Sequence, residues 1–271
     1  MLIQRILTAL VLAPLVVAAV LWLPAPAMTI LAALIFMLGF DEWVMLCGFR
    51  GKTTRVMIAL AMAAIFAALY LWHPPWLDPL LLCIGTLWWL LVLLWLRNMS
   101  FAAAPTRQNG LLKLVAGLLT IIPAWAALLW LHAHSQYGIW LLIALLMVWG
   151  ADIGAYFAGT LFGRRKLAPH ISPGKTWAGV YGALFVSLLV ALVAGWLLHL
   201  AWPTLIGLLV LTVIAVAASI IGDLLESLAK RHALVKDSGA LFPGHGGLMD
   251  RMDSVCALLP VFALGVWLLG L

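Results

Sequence analysis

The hydrophilic side chains of this chain are concentrated between residues 223 and 254. The segment holds five of the nine carboxylates and four of the fifteen cations of the chain: Asp223, Glu226, Asp237, Asp250, Asp253, Lys230, Arg231, Lys236 and Arg251. Carboxylates mixed with cations suit phosphoryl transfer, in which aspartates hold Mg²⁺ against phosphate oxygens while lysine and arginine neutralise the remaining charge. The alternative is a solvated loop that only sets topology. We favour the chemical interpretation because charges beside apolar segments are costly and tend to mark function.

The spacing of these residues predicts two polar helix faces joined by a glycine-rich turn. Four residues share one face if their helix continues to about Lys230, because they follow at intervals of three and four: Asp223, Glu226, Ser227 and Lys230. Asp250 and Asp253 share a face at the start of the next helix, where its dipole favours carboxylates. Between them, His245, Gly246 and Gly247 lie in a turn whose backbone N–H groups can approach a phosphate closely.

Two segments upstream carry further candidates. Asp152 lies deep in an apolar run among small residues that permit close helix packing, and it has either a functional role or a structural hydrogen bond to a neighbouring helix. Lys175 lies in a basic loop, residues 163–177, which either binds phosphates or only sets topology. Gly174-Lys175-Thr176 resembles the end of a P-loop, but Pro169 stands where that motif needs glycine, so we reject a P-loop.

The rest of the chain must hold these residues in a membrane. Mean hydropathy is +1.18 and 66% of residues are apolar, which excludes an ordinary soluble domain. The apolar runs do not alternate as barrel strands do, so we expect an all-α, polytopic protein with a single domain. Residues 1–137 are expected to be mainly scaffold and residues 138–271 to carry catalysis. Punctuation by proline, glycine and charge predicts nine helices, near 3–23, 27–47, 56–72, 80–96, 111–131, 138–161, 177–198, 204–225 and 253–270.

The distribution of positive charge predicts the orientation in the membrane. With nine spans, all fifteen lysines and arginines fall on one side, which the positive-inside rule assigns to the cytoplasm. The N-terminus is then cytoplasmic and the C-terminus outside. The first apolar run is either a cleavable signal peptide or a retained helix, and its length of about 18 residues favours the helix. Topology explains most of the net charge of +6, and we expect no nucleic-acid partner. Asp41 and Glu42 receive no role in the site.

The signature between Ser227 and Asp253 closely resembles that of the phosphatidate cytidylyltransferases, or CDP-diacylglycerol synthases. The shared positions are Ser227, Lys230, Arg231, Lys236, Asp237, Gly239, Phe242, Pro243, His245, Gly246, Gly247, Leu248, Asp250, Arg251, Met252 and Asp253. Residues 149–156 and 166–177 also resemble the bacterial members. The strong similarity covers about residues 140–260, and helices 1 to 5 resemble the family mainly in pattern.

The resemblance implies that the chain transfers a cytidylyl group from CTP to phosphatidate with Mg²⁺, giving CDP-diacylglycerol and pyrophosphate. The family's metal-binding aspartates match Asp223 and Asp250, and its basic positions match Lys230, Arg231 and Lys236. From the residues themselves we add Asp253 to the metal set and Arg251 to the catalytic cations. The expected substrate-binding residues are Ser227, Lys175, Asp237, His245, Gly246, Gly247 and Asp152.

The resemblance also implies a multi-pass protein of the bacterial inner membrane whose site faces the cytoplasm, with a homodimer expected on this ground alone. Whether a second cation joins Mg²⁺ is left open. Two other functions remain as alternatives: a cation- or proton-coupled transporter that uses Asp152 and Asp223 as its ion site, and a membrane phosphotransferase with a prenyl or alcohol acceptor.

Overall fold

The computed structural model is an all-α membrane protein and describes residues 2–239, 241 and 246–271, with side chains from Val11 onward except that of Gln136. Nine α-helices lie in this part of the chain: α1 (Leu2–Trp22), α2 (Ala25–Leu46), α3 (Lys52–Leu71), α4 (Leu77–Arg97), α5 (Arg107–His134), α6 (Ile139–Phe162), α7 (Trp177–Leu197), α8 (Trp202–His232) and α9 (Met249–Leu269). The prediction of nine helices in an all-α protein is confirmed.

Helices α8 and α9 are longer than the apolar runs from which they were predicted. Helix α8 continues past its apolar part to His232, so the expected polar face of this helix exists. Helix α9 begins at Met249, four residues before the predicted start, and so includes Asp250. The apolar runs underestimate the lengths of both helices, because the amphipathic turns at the end of a membrane helix contain polar residues and resemble a loop in a hydropathy profile.

A small β-hairpin between α6 and α7 was not predicted. Strand β1 (Lys166–Ala168) pairs antiparallel with β2 (Ser172–Thr176), and Lys166 lies opposite Thr176. The Thr176 side chain then caps α7 by accepting a hydrogen bond from the Gly179 amide at 3.1 Å. Lys175 therefore lies on a strand that runs directly into a helix, which agrees with the rejection of a P-loop.

Eight of the helices, α2 to α9, are long and apolar enough to cross a membrane; α1, with side chains described from Val11, counts as a shorter apolar helix. One continuous buried core contains side chains from α1 to α9 and includes Phe36, Trp43, Trp125, Met147 and Phe262. Helix α9 is the most buried of the eight candidate spans and packs against α4, α5 and α8. The core therefore surrounds α9 and fixes the position of its polar first turn.

Helices α6 and α7 approach each other closely where both carry glycine. A Cβ atom added to Gly154 would lie 2.7 Å from the backbone carbon of Gly182, so neither position accepts a larger side chain without a shift. This contact agrees with the expectation that small residues around Asp152 permit close helix packing. It holds Asp152 of α6 next to the hairpin and the start of α7.

Candidate functional site

A cavity of about 270 Å³ is lined by the C-terminal half of α6, the hairpin, the first turns of α7 and residues 219–223 of α8, more than two turns before that helix ends. Its polar lining residues come from α6, β2, α8 and α9: Asp152, Tyr156, Thr160, Lys175, Thr176, Ser219, Asp223 and Ser254. The ammonium group of Lys175 lies 2.5 Å from Asp223 Oδ2, and Ser227 Oγ donates to Asp223 Oδ1 at 3.2 Å. The structure thus brings together three predicted residues, Asp152, Lys175 and Asp223, from three elements far apart in sequence.

Carboxyl groups outnumber cationic side chains around this cavity. Asp152 is within electrostatic reach of Asp223, Lys175 and Arg251. Asp253, which is buried on α9, interacts with the same Asp223 and Lys175 and accepts a hydrogen bond from the Ser254 amide at 2.6 Å. Three aspartates therefore share two cations. Such a cluster attracts a further cation or the cationic side of a metal–phosphate complex.

The polar face of α8 continues from this cavity towards a second group of charges. Glu226 is 1% exposed and forms an ion pair with Lys230 one turn later. Neither carboxylate oxygen of Glu226 has a well-aligned hydrogen-bond donor among the described residues. The Lys230 ammonium also lies 2.5 Å from Asp250 Oδ1. Lys230 therefore bridges α8 and α9, with its charge shared between two carboxylates.

The second oxygen of Asp250 organises the loop between α8 and α9. Asp250 Oδ2 accepts hydrogen bonds from the Ser238 amide at 2.9 Å and the Gly247 amide at 2.8 Å, and Ser238 Oγ lies 3.0 Å away. Gly246 adopts φ +82°, and a Cβ atom there would lie 2.7 Å from the same oxygen. Glycine is required at this position because L side chains disfavour positive φ and have no space here. The glycines thus bring backbone amides to a carboxylate of the protein itself.

Glu42 of α2 holds the same loop from the opposite side and was missed by the sequence analysis. Its side chain is buried, and its two oxygens accept hydrogen bonds from the Leu248 amide at 3.0 Å, the Met249 amide at 2.8 Å and Ser238 Oγ at 2.8 Å. Glu42 therefore caps the N-terminus of α9, where the partial positive charge of the helix end favours a carboxylate. The sequence signal that could have identified Glu42 is an acidic residue in an otherwise apolar predicted helix. The expected division at residue 137 remains a prediction, although α2 supplies this contact to the site.

The remaining predicted residues lie around these two groups. Arg231 is exposed, and its Nε donates to the Ile171 carbonyl at 3.2 Å, which ties the hairpin to α8. Lys236 and Asp237 are exposed in the loop after α8, and Arg251 is exposed on the first turn of α9. His245 lies outside the described residues. The structure therefore gives Arg231 a positioning contact and leaves the predicted roles of the others as predictions.

The oxygen-rich lining fits the chemistry of Mg²⁺, which prefers hard oxygen ligands and is usually bound by one or two carboxylates together with substrate phosphates. Asp223 is partly exposed to the cavity, Asp250 Oδ1 contacts Lys230, and the buried Glu226 carboxyl group pairs with the same lysine. Within the described ranges no three such side chains already form a metal-binding group. The residues therefore fit a metal completed by substrate.

Fold and site together define a polytopic membrane protein whose helix bundle contains a cavity lined by acidic and cationic side chains, which suits phosphate chemistry. The chain belongs to the cytidylyltransferase family, which it matches over residues 3–269. The family expected from the signature is thus confirmed.

Curated relatives extend the similarity over nearly the whole chain. A phosphatidate cytidylyltransferase of Pseudomonas aeruginosa is 40% identical over 274 residues, which cover 100% of this chain and 98% of the relative. One of Haemophilus influenzae is 38% identical over 286 residues, covering 97% and 98%. A third, of Bacillus subtilis, is 43% identical over 127 residues, covering 46% and 47%. The similarity to the first two includes the helices that resembled the family only in pattern.

Proposed function

We propose that this protein is a phosphatidate cytidylyltransferase, which converts CTP and phosphatidate into CDP-diacylglycerol and pyrophosphate in phospholipid biosynthesis. The observation that carries the proposal is the meeting of Asp152, Lys175 and Asp223 at one cavity, beside the Lys230–Asp250 ion pair. Residues from the three segments that resembled the family thus lie together at one end of the bundle. The full-length relatives that bear this name support the same conclusion.

The chemical step needs little proton transfer. An oxygen of the phosphatidate phosphate attacks the α-phosphorus of CTP and forms the new P–O bond, while the bond from that phosphorus to the bridging oxygen breaks and pyrophosphate leaves. The attacking phosphate is already anionic at neutral pH, so no general base is required. Catalysis therefore depends on positioning two anions and on neutralising their charge.

The roles of the cations follow from their partners. Lys175 borders the cavity and pairs with one carboxylate, so it can exchange Asp223 for a substrate phosphate. Lys230 is held by Glu226 and Asp250, so we propose that it mainly fixes α8 relative to α9. Arg251, Lys236 and Arg231 are exposed at the same end of the bundle and supply positive potential for CTP.

Mg²⁺ belongs to the proposal, with Asp223, Asp250 and Asp253 as the residues that would hold it. When bound, it would offset negative charge on the CTP phosphates. Asp253 and Glu226 add two buried carboxyl groups beside Lys175 and Lys230, and hard oxygen ligands of this kind are those that Mg²⁺ prefers.

The lipid acceptor accounts for the location of the site in a membrane protein. Tyr156 lines the cavity and is exposed on α6, so the cavity opens onto a helix surface that can contact lipid. The acyl chains of phosphatidate would stay in the bilayer while its phosphate reaches Lys175. We further propose that the protein lies in the bacterial inner membrane with this site facing the cytoplasm, and that it works as a homodimer.

Purified protein in detergent, supplied with CTP, phosphatidate and Mg²⁺, should release pyrophosphate and form CDP-diacylglycerol. Asp250→Asn should lower the rate about 100-fold or more, because it loses the charge that holds Lys230 and the Ser238 and Gly247 amides. Asp78→Asn is a matched control, since Asp78 pairs with His73 in the connection before α4. Absence of product from the wild-type protein would refute the function.

The two alternatives predict other results. A screen of nucleotides and of prenyl and alcohol acceptors would identify a different phosphotransferase by its preferred pair of substrates. An ion-coupled transporter would show uptake into vesicles without nucleotide. No observation on the described residues favours that function, and the two relatives matched over nearly the whole chain are named phosphatidate cytidylyltransferases.

A further inference from the structure

A second cavity, of about 760 Å³, is separate from the one at Asp223. It is formed by the α2–α3 connection, the first turns of α5 and the residues around the end of α8, and it shares no lining residue with the cavity at Asp223. Its ionisable lining residues are Cys47, Arg50, Arg107, Lys113 and His232. The lining thus contains three permanent cations and no carboxylate.

Lys113 is the residue that makes this cavity unusual. It is 6% exposed, and no carboxylate in the described part of the chain lies within ion-pair distance of it. Its carbonyl accepts a hydrogen bond from Trp43 Nε1 at 2.8 Å, which fixes the backbone beside the cavity. Lys113 lines the cavity, so its ammonium group faces that space rather than a closed core. A cation there, with no carboxylate of the described residues within ion-pair distance, favours binding of an anion.

The neighbouring groups of the protein do not supply this negative charge. The Cys47 thiol is within electrostatic reach of Lys113, but burial raises the pKa of this thiol to about 12, so it stays neutral. The Nε2 atom of His232 lies 2.8 Å from the Met99 carbonyl and therefore donates its proton to that oxygen. Neither group balances the lysine.

The first turn of α5 adds a further favourable contact for an anion. Thr106 and Arg107 line the cavity, and Thr106 Oγ1 accepts from the Asn109 amide at 3.2 Å as the helix cap. The N-terminus of a helix carries partial positive charge, which attracts phosphate groups. Arg50 and Arg107 are exposed, so they can recruit the anion from solvent or from the membrane surface.

We infer that this cavity binds one phosphate-bearing anion, with Lys113 as its buried contact and Arg50 and Arg107 at the rim. The volume accommodates a phosphate with an attached organic group. The phosphate has two sources: the headgroup of an anionic phospholipid, or a soluble phosphate. The inference does not depend on the proposed activity, because none of its residues belongs to the catalytic site.

The test measures binding of phosphatidylglycerol and of inorganic phosphate to purified full-length protein carrying Lys175→Met, which weakens anion binding at the catalytic cavity. Native mass spectrometry follows the lipid, with zwitterionic phosphatidylcholine as the comparison, and calorimetry follows phosphate. Adding Lys113→Met should weaken binding of the true ligand about tenfold or more, because one charge-assisted contact is lost. Lys52→Met is the matched control, since Lys52 is exposed and lies outside the cavity lining.

Each outcome decides the inference. Loss confined to phosphatidylglycerol identifies a lipid headgroup as the source, and loss confined to phosphate identifies a soluble anion. The site is refuted if the Lys113→Met and Lys52→Met proteins bind phosphatidylglycerol equally well and also bind phosphate equally well. It is also refuted if the protein binds phosphatidylcholine as well as phosphatidylglycerol and does not bind phosphate. If Lys113→Met does not fold, Arg50→Gln with Arg107→Gln replaces it, because both side chains are exposed and the same loss is expected.

Discussion

Replacing Glu42 by glutamine keeps the size of the side chain but removes its charge and one of its two acceptor oxygens. In the structure those oxygens accept three hydrogen bonds, from the Leu248 amide, the Met249 amide and Ser238 Oγ. The substitution therefore tests whether a residue of α2 positions the loop that carries Asp250. No motif in the sequence marks Glu42, so the prediction depends on the tertiary structure.

The size of the effect follows from which bonds an amide can keep. The glutamine amide has two orientations. In one, its oxygen accepts from the Leu248 amide and its NH₂ group faces the Met249 amide, so the Met249 bond is lost; in the other, only the bond from the Leu248 amide is lost. At least one bond to a charged acceptor is lost, and each contributes about 1.5–3 kcal/mol. We expect Glu42→Gln to lower the free energy of unfolding by about 2–5 kcal/mol, because a buried donor also stays unsatisfied.

The assay combines thermal unfolding in detergent with steady-state kinetics at a temperature where the variant is folded. We expect a lower unfolding temperature and a kcat reduced about tenfold with a smaller change in KM, since the loop shifts Asp250 rather than removing a substrate contact. Asp41→Asn is the control, because Asp41 is the neighbouring acid and pairs with Arg55 instead. If both variants unfold at the same temperature and turn over at the same rate, Glu42 has no positioning role.

Three further outcomes are expected. A double-mutant cycle of Lys175→Met and Asp223→Asn on thermal stability should give a coupling of about 0.5–1 kcal/mol, since both side chains are partly exposed; additive effects would argue against the ion pair. Gly246→Ala should destabilise the protein by about 1–2 kcal/mol and slow the reaction, whereas Gly51→Ala, with an ordinary φ of −66° and a nearest contact at 3.5 Å, should leave the reaction rate unchanged. Chelation of divalent cations by EDTA should abolish product formation and Mg²⁺ should restore it; full activity in EDTA would contradict the proposed role of Mg²⁺.

The helical architecture follows from the sequence because hydrophobicity and helix length dominate in a membrane. Unbroken apolar runs of about twenty residues leave the backbone little choice but to satisfy its hydrogen bonds within a helix. All nine predicted segments correspond to α1–α9. The polar face of α8 was predicted for a similar local reason, since residues three and four apart must lie together on any helix that continues to His232.

The sequence also determined which segments meet. The resemblance named residues 149–156, 166–177 and the signature from Ser227 to Asp253, with Asp223 as a matched aspartate, and the structure places Asp152, Lys175 and Asp223 at one cavity. The hairpin that carries Lys175 was not predicted, because strands of three and five residues give too short a pattern of alternation.

Only the tertiary structure decided how each charge is used. Spacing alone suggested that Asp250 and Lys230 face a substrate, yet they pair with each other between α8 and α9. The glycine-rich turn was expected to approach a phosphate, yet its Gly247 amide donates to Asp250. Glu42 and Lys113 lie outside every motif. The structure assigns Glu42 a role because it bonds to amides about two hundred residues away, and it marks Lys113 because no carboxylate of the described residues lies within ion-pair distance. Local sequence fixes which charges exist and which helix face carries them. Their partners depend on packing between distant helices, because electrostatic energy depends on separation in space and on burial.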